Sequence, residues 1–142
     1  METATTNELA ARLRRGVTRL NRRLRSSSLG GVTPAQASML SSVETLKNPT
    51  LGELAAREQV QPPSVTRLVR TMEHQGLITC APDPDDRRST RVRLTSTGRR
   101  ELSAIRRRKT EFLEQRLHAL SRAELKKVRE LIDFLDGLME DR

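Results

Sequence analysis

From Leu51 to Gly98 the chain reads LGELAAREQVQPPSVTRLVRTMEHQGLITCAPDPDDRRSTRVRLTSTG, and the changes of pattern along this stretch decide the fold. LGELAARE reads as a short helix that Thr50 can cap, with Glu53 three residues on completing a capping box. VQPP interrupts it, because proline lacks the N–H that a helix interior needs, although the same prolines can open a helix. In PSVTRLVRTMEHQ, Val65, Leu68, Val69 and Met72 share one stripe, which turns Pro63, Thr66, Arg67, Arg70, Thr71 and His74 outward. Gly76 then stands where a helix closes on a left-handed residue. LITCA reads as a strand, PDPDDRR as a turn, and STRVRLT as a second strand in which Thr90, Val92 and Leu94 alternate with Arg91 and Arg93. Two short helices with a tight turn, followed by a basic hairpin, make a winged helix-turn-helix.

Working outward, Thr33-Pro34 has the form of an N-cap followed by proline at the first helical position, which opens a helix through about Leu46. Lys47-Asn48-Pro49 ends it. Before that, Leu9, Leu13, Val17, Leu20 and Leu24 recur every three or four residues and predict a helix from Asn7 to Arg25, closed by SSSLGG at Ser26 to Gly31. Downstream, a long helix is expected from Thr95 to about Ala119. Ser121 caps a last one through about Glu140, where Leu125, Val128, Ile132, Leu135 and Met139 repeat as the seam of a helix pair. The expected fold class is therefore mainly α with a small β wing. The chain reads as one domain over residues 1–142: an N-terminal helix and linker (1–31), the winged helix-turn-helix (32–98) and C-terminal helices (99–142).

With 142 residues, the chain is long enough to bury a core without disulfides or structural metal. Lys and Arg number 27 against 18 Asp and Glu, a formal charge of +9 that attracts polyanions. Nucleic acid is the leading partner class and an anionic membrane surface the second. Cys80 is the only cysteine, so an intrachain disulfide or a cysteine-built zinc site is excluded, as suits a reducing cytosol. No apolar run approaches the roughly 20 residues of a membrane span. METATTNELAARLRRG lacks the apolar core of a secretory signal, and Glu2, Glu8 and the spaced leucines favour an ordinary helix over a transit peptide. The expected location is the cytoplasm. An enzyme is not expected: His74 and His118 fall in separate helices with no triad or metal pattern, and no glycine loop cradles a phosphate. Neither a cofactor nor a metal is called for.

LGELAAREQVQPPSVTRLVRTMEHQGLI followed by DPDDRRSTRVRLTSTG resembles the MarR family of bacterial transcription regulators. The close match runs from about Val32 to Gly98, with Asp86, Arg88, Leu94-Thr95 and Gly98 at the spacing of the family's wing; the flanking helices match its dimerisation arms by pattern only. The resemblance implies a homodimer that binds double-stranded DNA at a palindromic operator, as a repressor. It assigns Arg88 to a narrow minor groove, where the negative potential is enhanced. Asp86 would hold that guanidinium through a bidentate pair. Arg87, Arg91 and Arg93 are then candidates for phosphate. At the start of the recognition helix, Gln61, Pro62, Pro63, Ser64, Thr66 and Arg67 would approach base edges. Ser64 and Thr66 can donate to bases or phosphate, Arg67 suits guanine, and Arg70, one turn later, suits phosphate. The expected dimer contacts are Leu9, Leu13, Leu20 and Leu24 with Leu125, Val128, Ile132, Leu135 and Met139.

The same residues admit plainer readings: a solvated charged turn, a merely basic helix face, or an intrachain helix pair. A nonspecific nucleoid-type binder would keep the phosphate contacts without operator preference. A membrane-surface or protein-interaction module would instead use the basic first helix, with Arg12, Arg14, Arg15, Arg19, Arg22, Arg23 and Arg25. The family also implies a small-molecule effector between arms and winged module. Phe112 and Phe134 are the only aromatics here, so such a pocket would rely on them or on Leu, Met and Arg contacts. Cys80, in the first wing strand, reads as a buried inert thiol.

Overall fold

A computed structural model describes residues 4–140 and places, in chain order, α1 (Thr6–Ser28), α2 (Pro34–Leu46), α3 (Leu51–Glu58), α4 (Pro62–His74), β1 (Ile78–Pro82), β2 (Thr90–Leu94), α5 (Ser96–Leu117) and α6 (Arg122–Met139). Glu2, weighed against a transit peptide above, lies outside the described residues. One device opens four of the helices. At Thr5/Glu8, Thr33/Gln36, Thr50/Glu53 and Ser121/Glu124 the cap hydroxyl accepts from the backbone N–H three residues on, and that residue's side chain accepts from the cap N–H. Each box satisfies two donors that a helix start otherwise leaves without a partner.

The helix ends depart slightly from expectation. Ser26, Ser27 and Ser28 extend α1 rather than ending it, because their hydroxyls donate back to the carbonyls of Arg23 and Arg25. The chain turns two residues after the last serine, with Gly30 at φ +58. α5 stops at Leu117, two residues short of Ala119, where the N–H groups of Ala119 and Leu120 bond three residues back and tighten the turn.

The chain divides into two compact units, one through Lys109 and the other from Thr110. The first contains the core. Met39, Leu40 and Val43 of α2, Leu54 of α3, Val65, Val69 and Met72 of α4, Val92 of β2, and Leu102 and Ile105 of α5 are buried together. Fully burying side chains of this size stabilises the fold by about 1.5–3 kcal/mol each. Leu68, expected in the same stripe, is half-buried at its edge. β1 and β2 pair antiparallel with Cys80 opposite Val92. A third segment joins them that the sequence did not announce: Thr50 bridges Arg91, and the Val92 N–H donates to the Pro49 carbonyl at 2.8 Å.

LTSTG (94–98) locks the exit of the hairpin to the exit of α4. The Thr95 N–H donates to the Leu77 carbonyl at 3.1 Å, and its hydroxyl donates to the Gly76 carbonyl at 2.5 Å while accepting from the Gly98 N–H at 2.9 Å. Gly98 is buried so closely that a Cβ there would lie 2.0 Å from the Leu77 carbonyl oxygen.

α1 is fixed to this unit at its C-terminal end. Ser28 is buried, and Arg108 of α5 donates to its carbonyl at 3.1 Å. The rest of α1 is almost wholly exposed. In the second unit, α6 has no buried residue.

Candidate nucleic-acid interface

α4 opens on two prolines. Pro62 and Pro63 carry no N–H, and the Ser64 and Val65 N–H groups both donate to the Gln61 carbonyl. The first turn therefore has no spare backbone donor for a phosphate, and its chemistry is that of its side chains. Gln61, Pro62, Pro63, Ser64, Arg67 and Arg70 are all exposed. Arg67 and Arg70 have no ion-pair partner among the described residues, which leaves both guanidinium groups to a ligand. Thr66 differs from expectation. It is half-buried and its hydroxyl donates to the Pro62 carbonyl at 3.1 Å, so it presents lone pairs and accepts rather than donates.

A polar clamp that the sequence reading missed sets α3 against α2. The Glu58 carboxylate accepts from Ser38 at 2.8 Å and from Ser42, whose oxygen also accepts from the Arg57 Nε at 3.2 Å. Neither serine stands out in sequence, being 20 and 16 residues from Glu58.

Two backbone bonds close the wing turn, from Ser89 to the Asp86 carbonyl and from Asp83 to the Ser89 carbonyl. Arg88 sits at the tip with its side chain 94% exposed. Asp86 does hold it, but not as a bidentate pair. One carboxylate oxygen accepts from both the Arg88 backbone N–H at 3.1 Å and its Nε at 3.4 Å, because two residues of turn bring Nε and the backbone within reach but not the Nη atoms. The outer edge of the guanidinium remains open. Arg87 and Arg93 are exposed as expected.

Arg91, a phosphate candidate in the sequence, has internal partners. Its Nε and Nη2 reach the buried Asp83 at 3.0 Å each, its Nη1 donates to the Asn48 carbonyl at 3.1 Å, and Glu53 lies 3.9 Å away. Those acceptors fasten the base of the wing to the loop between α2 and α3 through a guanidinium that stays partly exposed. Asp83 in turn accepts from the Asp85 N–H at 3.0 Å. That backbone donor and the Arg91 guanidinium hold its carboxyl below the ordinary aspartate range against the opposing effect of burial. A carboxylate with a depressed folded value contributes stability that is complete above its unfolded value and is lost as pH falls through the folded one. The staple should therefore stay intact through neutral pH and open only in acid. In an NMR titration of the Asp83 carboxyl carbon, a midpoint at or above that of an ordinary aspartate would refute it.

Cys80 is half-buried, and the Glu73 carboxylate that accepts from its backbone N–H lies beside the thiol. Burial first, then that carboxylate, push the thiol up to about 11, away from the reactive thiolate.

The apolar stripes are open. In α1, Leu9, Leu13, Val17 and Leu20 are exposed and Leu24 is half-buried. In α6, Ile132 and Met139 are exposed and Leu125, Val128 and Leu135 half-buried; Leu131, Phe134 and Leu138, absent from the expected seam, widen the exposed apolar face. Phe112 is covered on one face by the Arg116 guanidinium, 3.5 Å from the ring centroid. Among the described residues no cluster of His, Cys, Asp or Glu could hold a metal, and no helix is long and apolar enough to cross a membrane.

The MarR family model matches residues 32–90, from two residues before α2 to the first residue of β2. An HTH-type transcriptional regulator of Mycobacterium bovis is 36% identical over 136 residues, covering 94% of each chain. The chain belongs to the MarR family. Among solved structures, a MarR family protein from Bacillus stearothermophilus superposes with a TM-score of 0.76 at 26% identity, covering 98% of both chains. A MepR mutant of S. aureus bound to an oligodeoxyribonucleotide shares the fold, with a TM-score of 0.71 at 20% identity over 97% of this chain and all of that one. This MarR family member is a helix-turn-helix transcription regulator with a winged-helix fold.

Proposed function

We propose that the chain acts as a homodimer, binds double-stranded DNA at a palindromic operator and represses transcription there, with release by a small-molecule effector. The observation that carries this reading is the pairing of an exposed α4 face with a wing whose tip arginine is held at one edge and open at the other. Partial ordering by Asp86 lowers the rotamer entropy that Arg88 loses on entering a minor groove. In the recognition helix, Pro62 and Pro63 offer apolar contact to thymine methyls, Thr66 offers acceptor lone pairs, and Arg67 offers two parallel donors to guanine. Arg70, Arg87 and Arg93 contact phosphate. Arg91 acts from behind, setting where the wing stands. The DNA-bound MepR relative supports the choice of partner.

The experiment is equilibrium binding to a pool of random duplexes, with sequencing of the bound fraction. Enrichment of a palindrome whose half-sites lie about ten base pairs apart is the expected result. Salt-sensitive binding without enrichment would replace the operator reader by a nonspecific binder, and no binding would return attention to the basic face of α1.

Two substitutions separate the roles. Arg88→Ala is expected to weaken operator binding about tenfold or more while leaving major-groove preferences nearly unchanged, since the minor groove carries little sequence code. Equal affinity in a titration would remove Arg88 from the groove. Arg67→Ala should instead relax the preference at one base pair of each half-site, by about 1–3 kcal/mol. If the selected sequences stay the same, Arg67 holds a phosphate.

A further inference from the structure

α1 carries seven arginines between Arg12 and Arg25 and no lysine. All seven are exposed, and among the described residues none has an ion-pair or hydrogen-bond partner for its guanidinium. The one carboxylate of α1, Glu8, accepts from the Thr5 N–H at 2.8 Å, and the next along the chain, Glu44, holds Arg106 at 3.1 Å. Arg12, Arg15, Arg19 and Arg22 are spaced by three, four and three residues and so stand in one row about 15 Å long. That row lies roughly 140° around the helix from the stripe of Leu9, Leu13, Val17 and Leu20. Like charges at these spacings repel, and a polyanion laid along the row relieves the repulsion.

Resting on the reading of an operator-binding homodimer, we infer that this row is a second duplex-DNA surface: it grips the phosphate backbone of a segment other than the operator, so that one dimer joins two duplexes. The partner follows from what surrounds the row. An interfacial membrane helix inserts its apolar face, and here that face is the one the proposed homodimer covers, which leaves the arginines free. No apolar side chain interrupts the row, as the centre of a protein interface would require. Guanidinium groups offer phosphate oxygens two parallel donors each, which ammonium groups do not. Phe112 and Phe134 both lie beyond the unit that ends at Lys109, so that unit has no aromatic platform for unstacked bases, and a duplex fits better than a single strand.

The attachment of α1 separates the two duplexes. Its C-terminal end is fixed where Arg108 donates to the Ser28 carbonyl, about 18 Å along α5 from the foot of the wing. α2, which follows it, starts beside the far end of α4, where Gln36 donates to Gln75 at 2.9 Å, about 20 Å from the end that opens on Pro62 and Pro63. α1 is thus rooted at the end of the unit remote from the groups that read the operator.

The test uses the full chain and two probes, a short scrambled duplex and the palindrome obtained by selection. Arg67→Ala with Arg88→Ala weakens the operator surface and leaves the row, so the scrambled duplex should still bind this double variant. Adding Arg12→Gln, Arg15→Gln, Arg19→Gln and Arg22→Gln should lower that affinity about tenfold or more and flatten the slope of log K against log salt by about 3.6, four phosphates at about 0.9 each. Lysine at the same four positions should restore most of it. Glutamine is a good helix former and the sites are exposed, so helix content by circular dichroism should not change. For bridging, the palindrome is fixed to a surface and saturated with chain at about 0.15 M salt, where the Debye length is about 8 Å. Capture of labelled scrambled duplex should fall about tenfold in the four-glutamine variant, whose operator affinity should stay within about twofold of wild type, because charges rooted about 20 Å away are screened. Equal capture, or an unchanged salt slope, would overturn the surface. Operator affinity lost in step with capture would place the row on the operator's own duplex and overturn bridging. Binding to phosphatidylglycerol vesicles in place of duplex, abolished by the same four changes, would make the partner a membrane and overturn it too. The scrambled-duplex titration needs no operator, so failure of the operator reading, a selection without a palindrome, would show separately.

Discussion

Gly98→Ala is expected to lower the stability of the first unit by about 3 kcal/mol or more, toward the upper end for inserting a methyl group where none fits. The added Cβ would stand 2.0 Å from the Leu77 carbonyl oxygen. That atom is backbone, and it is held where it is by the Thr95 N–H, so it has no rotamer through which to escape. Relief requires α5 to move away from the end of α4, which breaks the Thr95 bonds to Gly76 and Leu77 and loosens Leu102 and Ile105 in the core. A loss of this size reduces the folded-to-unfolded ratio by about two orders of magnitude, against a total stability of about 5–15 kcal/mol for a domain. Gly52→Ala in α3 is the control, since a Cβ there meets nothing closer than Thr50 Oγ1 at 3.9 Å. Replacing an exposed helical glycine should gain up to about 1 kcal/mol. Urea unfolding of both variants gives the comparison, and equal stability of Gly98→Ala and wild type would mean that the close approach is not needed.

The glycine also shows where legibility in the sequence ends. Helix starts were readable because a capping box is written within four residues: Thr50 and Glu53, and Thr33 before Pro34, carry their own instructions. The buried stripe of α4 and the alternation in β2 were readable because a period is local. What could not be read was the destination of a charge. Arg87, Arg88, Arg91 and Arg93 look alike in sequence, yet three are exposed and the fourth is tied to Asp83, Glu53 and a carbonyl 43 residues away. A local hint exists in retrospect. In β2 the side chains of Arg91 and Arg93 leave the strand on the face opposite Val92. Arg91, unlike Arg93, also stands across from Ala81, two residues from the carboxylate that could neutralise it. The Glu58 clamp and the bridge from Thr50 to Arg91 were hidden for the same reason, being pairings between elements.

If the chain acts as the proposed homodimer, Ile132→Glu, and separately Leu13→Glu, should leave it a monomer and cost operator affinity by about 10²–10⁴, the factor lost when two linked half-site contacts become one. Within one chain these side chains do little. Ile132 is 51% and Leu13 39% exposed, and the apolar residues beside them are exposed as well. A carboxylate at either position removes little burial from the chain itself, so the fold should stay within about 0.5 kcal/mol of wild type. Exposed apolar faces of this extent on two helices are costly for a protein that stays alone in water, and in the proposed homodimer a second copy of the chain would cover them with two-fold symmetry. A glutamate buried in such an interface would have to lose its water without a partner, and the dimer should come apart. Sedimentation equilibrium and operator titration, with circular dichroism to confirm helix content, test the three parts together. Dimers of unchanged stability in both variants would place association on another surface. Monomers that bind the operator as tightly as wild type would show that one winged unit suffices, and the palindrome would then have no mechanical basis in the protein.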